Sequence, residues 1–275
     1  MAWSQNGEII ASGGEDGRVR CWNAADGLAV RDGEGGGFWV EHVAWSPDSN
    51  WLASGSGKYL RIWDRTGAIA FEWTNHASTI SSLQWRADSR GIATASYGTV
   101  QLFRLGERLP YESLSMKSAF LCLAWSPNSR HVAAGTQENS VIYWRLPFRD
   151  REPLQMSGYS CKIRNLAWDR TSQFLATDGG EVICVWNVSG KGPAGKIPIQ
   201  LAGHPAKVIC LTFQRRGDLL ASGCAEGNVW IWNPAHSNEG MNAARLATEI
   251  TQLAWSPDEK NLLASGADGT VRLIC

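Results

Sequence analysis

The sequence predicts an all-β protein, a β-propeller of seven short repeats, and three observations support this. One motif recurs along the 275 residues at intervals of 40 to 45 residues. Each copy contains short runs of alternating polar and apolar residues, such as Leu60–Trp63, separated by turns such as Ser46–Asn50. A sustained helical period is absent. About four strands per repeat is the content of a propeller blade, and stacked blades bury both faces of each sheet.

Each repeat has an aromatic residue, which we call the anchor, at the Trp position of a recurring apolar-Ala-Trp-Ser-Pro pattern. Successive anchors are 42, 40, 40, 43, 45 and 42 residues apart, and a Leu-Ala-Ser-Gly motif follows them. We expect every anchor to fill the space between neighbouring sheets, in a single propeller domain that spans residues 1–275. The seven anchors are Trp3, Trp45, Trp85, Trp125, Trp168, Phe213 and Trp255.

The two ends of the sequence predict a last blade that lacks its outermost strand. Met1 already occupies the position two residues before Trp3, so the first inner strand begins mid-strand. At the other end, the run from Thr270 to Cys275 reads as a third strand, and no fourth strand follows it. We expect this strand to be an unpaired edge, which is a template for pairing with other chains. The hypothesis is that the chain is a fragment, or a start-site misassignment, of a longer protein.

The repeats resemble those of the WD40 family along essentially the whole chain. The resemblance is carried by Ala44–Asp48, Leu52–Ser56 and Ile62–Asp64, and by Gly203–His204 followed by Val229–Asn233. It implies a seven-bladed WD40 propeller. The stretches Leu154–Tyr159 and Gly190–Pro193 are similar to stand-alone bacterial WD40 proteins.

The WD40 resemblance also implies a hydrogen-bond network within a blade. The network joins a His before the inner strand, a Ser or Thr of the second strand, an Asp in the next turn and a Trp of the third strand. Such buried polar groups stabilise a fold when each has its partner. The sixth repeat has Glu where the family has Asp, and the fifth has Tyr159 where the family has His. The implied members are His204, Ser222, Glu226 and Trp232 in the sixth repeat, and His76 and Thr94 in the third.

Charge and motif content argue against nucleic-acid binding and catalysis. Lys plus Arg and Asp plus Glu both number 26, whereas a nucleic-acid binder usually has a basic excess. The stretch Gly190–Lys196 has the GxxxxGK spacing, but Ile197 and Pro198 follow where a hydroxyl and a helix would be needed. The histidines have no metal-ligand spacing, and no GxSxG elbow occurs. We therefore predict no enzyme activity, no metal and no cofactor.

Seven cysteines without a CxxC pair, most of them in apolar runs, indicate buried, reduced thiols. Reduced thiols suit the cytoplasm, which is the predicted location. The stretch Met1–Glu8 does not look like a signal peptide, and no apolar run is as long as a membrane span. The sequence therefore predicts no membrane association.

The predicted function is a non-catalytic scaffold that binds protein partners, with the oligomeric state left open. The alternative is a propeller enzyme or a small-ligand-binding propeller that uses the central channel. The resemblance implies that loops of one rim make the contacts. Trp39 is the first candidate, since it follows the glycine-rich run Gly33–Gly37 and has no evident packing role in a strand; alternatively, it plugs a neighbouring loop. The candidate rim residues are Phe38, Trp39, Lys58, Tyr59, Tyr97, Asn139, Tyr159, Lys162, Lys207, Asn228 and Asp268.

Overall fold

Strands provide all of the regular secondary structure that the computed structural model describes, which covers residues 1–147, 152–256 and 258–275. Within those residues there are 25 strands and no helix, so the all-β prediction is confirmed. The chain divides into two compact units, Met1–Trp125 and Ser126–Cys275.

The first unit contains antiparallel strands that pair in the order of the chain. Strands β1 to β4 form one sheet, β5 to β8 form another, and β9, β10 and β11 pair in sequence. The strands are β1 (Ala2–Trp3), β2 (Ile9–Gly13), β3 (Arg18–Asn23), β4 (Ala29–Glu34), β5 (Val40–Trp45), β6 (Leu52–Ser56), β7 (Tyr59–Trp63), β8 (Ile69–Trp73), β9 (Ile80–Trp85), β10 (Gly91–Arg104) and β11 (Glu112–Trp125).

The second unit follows the same order of pairing. Strands β12 to β14 pair in sequence, β15 to β18 and β19 to β22 form four-stranded sheets, and β23 to β25 form a three-stranded sheet. The strands are β12 (His131–Thr136), β13 (Val141–Arg145), β14 (Leu154–Met156), β15 (Leu166–Trp168), β16 (Phe174–Thr177), β17 (Val182–Asn187), β18 (Ile199–Ala202), β19 (Val208–Phe213), β20 (Leu220–Cys224), β21 (Asn228–Trp232), β22 (Gly240–Arg245), β23 (Ile250–Trp255), β24 (Leu262–Gly266) and β25 (Val271–Ile274).

All seven anchors are the last residue of their strand, at the ends of β1, β5, β9, β11, β15, β19 and β23. The strands nevertheless depart from the seven separate four-stranded blades predicted. The difference arises in the third and fourth repeats, because β10 and β11 are each 14 residues long and continue through positions where a turn was expected. The predicted three-stranded last sheet is confirmed.

Most anchors bridge two sheets, as expected from their size. In the first unit the Trp85 indole donates a hydrogen bond to the carbonyl of Ala44, at 2.9 Å, and in the second unit Trp255 donates to Thr212, at 3.2 Å. Each acceptor is the residue just before the preceding repeat's anchor, so the ring reaches across to the neighbouring inner strand. Trp3 differs, because 57% of its surface is exposed.

A second contact between neighbouring sheets lies in the turn after each anchor. The residue four positions beyond the anchor has a positive φ of about 60° at Ser49, Ser89 and Ser172. Each of these serine hydroxyls accepts a backbone N–H from the turn of the preceding repeat. The donors are Asn6 to Ser49 at 3.1 Å, Asp48 to Ser89 at 3.0 Å and Asn128 to Ser172 at 3.0 Å.

Glu259 has the same position and the same left-handed backbone, with φ of 60°. Its carboxylate accepts the backbone N–H groups of Arg215, Arg216 and Gly217, at 2.5, 2.9 and 2.9 Å. Three donors on one carboxylate form a stronger link than a single serine contact. The turn after Phe213 is therefore held by the sheet β23 to β25.

Candidate functional site

A cleft of about 740 Å³ lies in the first unit beside the glycine-rich run, and we call it the Trp39 groove. Its walls come from the β2–β3, β4–β5 and β6–β7 turns and from the segment before β9. The lining residues are Glu15, Asp16, Gly17, Arg18, Glu34, Gly37, Phe38, Trp39, Glu41, Gly57 and Thr79.

Glycines shape the loop that carries Trp39. Gly36 has φ of 134°, and a Cβ there would lie 3.0 Å from the Cβ of Tyr59. A Cβ on Gly35 would lie only 2.2 Å from a methyl group of Val40. The loop can therefore approach the neighbouring strands closely only because these residues have no side chain.

Phe38 fixes this loop, and Trp39 projects from it. The carbonyl of Phe38 accepts a hydrogen bond from the Ser56 hydroxyl at 2.7 Å, and its ring centroid is 6.2 Å from that of Tyr59. Both Phe38 and Trp39 are 58% exposed. This exposure of Trp39 does not fit the alternative in which its ring plugs a neighbouring loop.

Acidic side chains line the same groove as these two aromatic rings. Glu15, Glu34 and Glu41 are all exposed. Asp16 pairs with Arg20 at 2.7 Å, and this hydrogen bond holds the pKa of the Asp16 carboxyl below its usual range. Arg18 pairs with Asp32 at 2.6 Å. The sequence does not show that these acids lie together, because they are separated along the chain.

The other candidate rim residues differ in accessibility. Tyr97 is 66% exposed. Lys58, Lys162 and Asp268 are exposed, whereas Tyr59, Asn139 and Lys207 are half-buried. Asp268 accepts the backbone N–H of Thr270 at 2.9 Å, so its carboxylate also holds a turn. The structure brings Trp39, Phe38 and Tyr59 together beside the Trp39 groove.

The prediction that Asn228 contacts a partner at the rim is wrong. It begins β21 and is only 6% exposed, because its side chain points into the protein. Its amide donates to the Cys224 sulfur at 3.9 Å and lies 3.1 Å from the Asn242 side chain. A partner could not reach it without opening the strand.

The network in the sixth repeat joins three of its four implied members. His204 Nε2 lies 2.6 Å from the Ser222 hydroxyl, which also accepts the Trp232 indole N–H at 2.8 Å. Glu226 is exposed and takes no part, which corrects the fourth assignment. His204 Nδ1 is buried without a partner among the described residues, and burial lowers the pKa of His204 to about 4.

In the third repeat, a backbone carbonyl stands in for the missing acid. His76 Nε2 lies 2.9 Å from the Thr94 hydroxyl, and Nδ1 lies 3.0 Å from the Lys58 carbonyl. The carbonyl can only accept, so Nδ1 carries the proton and Nε2 accepts from Thr94. Burial lowers the pKa of His76 to about 4.

Tyr159 is the second correction to the predicted rim. Its hydroxyl accepts hydrogen bonds from the Trp186 indole at 2.6 Å and from Thr177 at 3.0 Å. Burial raises the pKa of this phenol well above its usual range. Tyr159 thus occupies the histidine position of the network, and its polar end faces inward rather than towards a partner.

The GxxxxGK loop is tied to its own hairpin. The Lys196 ammonium donates to the carbonyls of Asn187 at 3.0 Å and Ser189 at 2.7 Å, so the lysine is already engaged. Among the described residues there is no group of three His, Cys, Asp or Glu placed to hold a metal ion. All seven cysteines lie in the described ranges, and none of them forms a disulfide. In the same ranges, no helix is long and apolar enough to cross a membrane.

The chain matches the family described as "WD domain, G-beta repeat". The matched stretches cover well over half of the chain: residues 1–23, 29–64, 67–104, 113–145, 195–233 and 244–274. Residues 146–194 are unmatched, and they include Tyr159, where the histidine of the repeat is replaced.

The curated relatives share 24 to 28% sequence identity with the chain. The chain is 28% identical to "Cell division cycle 20.1, cofactor of APC complex" of Arabidopsis thaliana over 52% of this chain and 32% of the relative. It is 24% identical to "THO complex subunit 3" of Arabidopsis thaliana, over 47% of this chain and 41% of the relative. "SIR4-interacting protein SIF2" of Saccharomyces cerevisiae is 24% identical over 85% of this chain and 38% of the relative. The chain therefore spans well under half the length of these proteins.

Proposed function

The chain belongs to the WD40 family of β-propellers, and we propose that it is a non-catalytic adaptor that binds a protein partner through the Trp39 groove. The observation that carries the proposal is the exposed Phe38–Trp39 pair in a cleft, on a loop whose Phe38 carbonyl accepts a hydrogen bond from the Ser56 hydroxyl. Exposed aromatic side chains on a fixed backbone are typical of contact hot spots.

The relatives support an adaptor role. Two of their names describe a cofactor of one complex and a subunit of another. Three of the five histidines have structural roles. His76, His131 and His204 are buried, burial holds the pKa of each at about 4, and each bonds to a side chain of its own repeat.

We propose that the partner is a protein rather than a nucleic acid or a membrane. We also propose that the protein is located in the cytoplasm. The chain has no excess of positive charge, and four of the five charged residues that line the groove are acids, which repel phosphates. Burial raises the pKa of the Cys184 thiol to about 11 and that of Cys210 to about 12, so both stay protonated at neutral pH. Protonated thiols without disulfides suit a reducing compartment.

The test compares Trp39→Ala with Leu109→Ala, which removes another exposed apolar side chain of the same unit, 74% exposed against 58% for Trp39. Each tagged variant is purified from cells of the native host, and co-purifying proteins are quantified. We expect a stoichiometric partner to be recovered with the unchanged chain and with Leu109→Ala, and to be lost with Trp39→Ala. Thermal midpoints should agree within about 2 °C.

Two results would contradict the proposal. A large loss of thermal stability in Trp39→Ala, with recovery of the partner unchanged, would assign Trp39 to packing. A chain that purifies alone and binds a metabolite or a metal would favour the ligand-binding class of propeller.

A further inference from the structure

The charges of the side chains that line the Trp39 groove do not sum to zero. Four are acidic and one, Arg18, is basic. Arg18 pairs with Asp32, and Asp16 pairs with Arg20, so these charges are compensated locally. Glu15, Glu34 and Glu41 have no ion-pair partner in the part of the chain that the structure describes. Three glutamates without an ion pair thus line one groove of a chain whose formal net charge is zero, and Glu34 also interacts electrostatically with Arg18.

The aromatic rings in the groove lie beside these acids. Phe38 and Trp39 both present more than half of their surface to solvent. A guanidinium or ammonium group is attracted to the face of an aromatic ring, most strongly to that of tryptophan. The chain already shows this arrangement next to the groove, where the Arg61 guanidinium lies 5.9 Å from the centre of the Tyr59 ring.

The glutamates of the groove also make the binding of some partner segments unfavourable. A neutral apolar segment laid on Trp39 would take the glutamates out of water without giving them a partner, which costs free energy. An acidic segment would add repulsion between like charges. The cleft volume of about 740 Å³ exceeds that of one side chain and suits a short extended segment.

We propose that the Trp39 groove binds an extended cationic segment of a protein partner, with an Arg or Lys side chain on the Trp39 ring and its charge among Glu15, Glu34 and Glu41. The proposal rests on the proposed function and specifies the chemistry of the partner at that site.

The first experiment selects ligands from a phage-displayed library of random 12-residue peptides on the purified chain. The expected result is enrichment of peptides with a net positive charge that contain Arg or Lys next to apolar residues. Enrichment of neutral or acidic peptides that compete for the same site would overturn the proposal.

The second experiment titrates one selected peptide against matched variants. We expect the triple change Glu15→Gln, Glu34→Gln and Glu41→Gln to weaken binding at least about tenfold, as three charge contacts are lost. The control neutralises three exposed glutamates outside the groove, Glu107, Glu152 and Glu239, and should leave the affinity unchanged. Raising the salt from about 50 to about 300 mM should weaken binding to the unchanged chain and have little effect on the triple variant.

The outcomes separate this proposal from the proposed function. If Trp39→Ala abolishes binding of the selected peptide while the triple glutamate change leaves its affinity unchanged, the groove binds a protein segment, but the proposal that this segment is cationic is wrong. If the selected peptides bind equally well to Trp39→Ala and to the unchanged chain, the groove is not the interaction site and both proposals fail.

Discussion

The hydroxyl of Tyr159 lies 2.6 Å from the indole nitrogen of Trp186 and accepts its N–H, as the Ser222 hydroxyl does for Trp232. In the sixth repeat a histidine completes the network, whereas in the fifth repeat the phenol reaches both donors by itself. A half-buried tyrosine at the histidine position therefore provides the indole acceptor that Ser222 provides in the sixth repeat.

This relationship predicts a stability defect for Tyr159→Phe. The change leaves the Trp186 donor without its acceptor and leaves the Thr177 hydroxyl only the Cys184 carbonyl at 3.3 Å, so the free energy of unfolding should fall by about 1–3 kcal/mol in a urea titration. Tyr97→Phe is the control, because Tyr97 is mostly exposed, and it should change stability by less than about 0.5 kcal/mol. Equal unfolding midpoints for the two variants would contradict the role of Tyr159.

The sixth repeat makes a similar prediction for its histidine. His204→Ala removes a buried ring that bonds to Ser222, and should cost about 1–3 kcal/mol. His236 is exposed in a polar loop, so His236→Ala should cost less than about 0.5 kcal/mol. If the two variants unfold at the same urea concentration, the His204 contact does not contribute to stability.

The three buried histidines predict that the protein loses stability in mild acid. Burial holds the pKa of His76, His131 and His204 at about 4, while the unfolded chain has the ordinary value of about 6.5. Because the folded pKa is the lower one, protons bind preferentially to the unfolded chain. The stabilising contribution is therefore complete above about pH 6.5 and is lost as the pH falls towards 4.

The expected loss between pH 7 and pH 5 is roughly 2 kcal/mol for each histidine. Urea titrations at a series of pH values measure it directly. His204→Gln should make the dependence shallower by about one histidine's share, while His236→Gln should leave it unchanged. A free energy of unfolding that is constant from pH 7 to pH 5 would contradict the neutral, buried state of these rings.

The contacts and backbone conformation of Glu259 predict that its Ala and Gly variants lose stability to different extents. Glu259→Ala removes the acceptor of three backbone N–H groups and keeps the strained left-handed backbone, so it should cost about 1–3 kcal/mol. Glu259→Gly also removes the acceptor but relieves the backbone, and should be less damaging by roughly 0.5–1 kcal/mol. A glycine variant that is the less stable of the two in thermal or urea unfolding would show that backbone strain at this position is unimportant.

Sequence periodicity predicted the strands and anchors well, since a strand that ends in a large aromatic residue can bury that ring between neighbouring sheets; Trp3, which is 57% exposed, is an exception. It did not predict that β10 and β11 continue without a break, because turn residues such as Tyr97 and Gly98 also fit a locally shifted antiparallel pairing. The serines and Glu259 that link neighbouring turns looked like ordinary turn residues. Their partners lie more than 40 residues away, so no local pattern marks them.

The site was predicted less completely. Trp39 stood out because no strand needed it, and its exposure agrees with that reasoning. Glu15, Glu34 and Glu41 lie on different turns, and only the fold brings them to one groove. Glu226 was misassigned by analogy with aspartate, whose shorter side chain suits the network, and Tyr159 was assigned to the rim although its sequence position already matched that of the histidine.

The links between turns have a consequence for how this chain can change over evolutionary time. Each one joins a sheet only to the next sheet along the chain, through one position four residues beyond an aromatic residue. Stability then depends on contacts between nearest neighbours. A copied repeat carries both its own donor turn and its own acceptor, so duplication inserts a unit that matches the repeats on either side. A deletion that removes one whole repeat rejoins compatible ends, whereas a deletion that begins within a turn leaves a donor and an acceptor out of register.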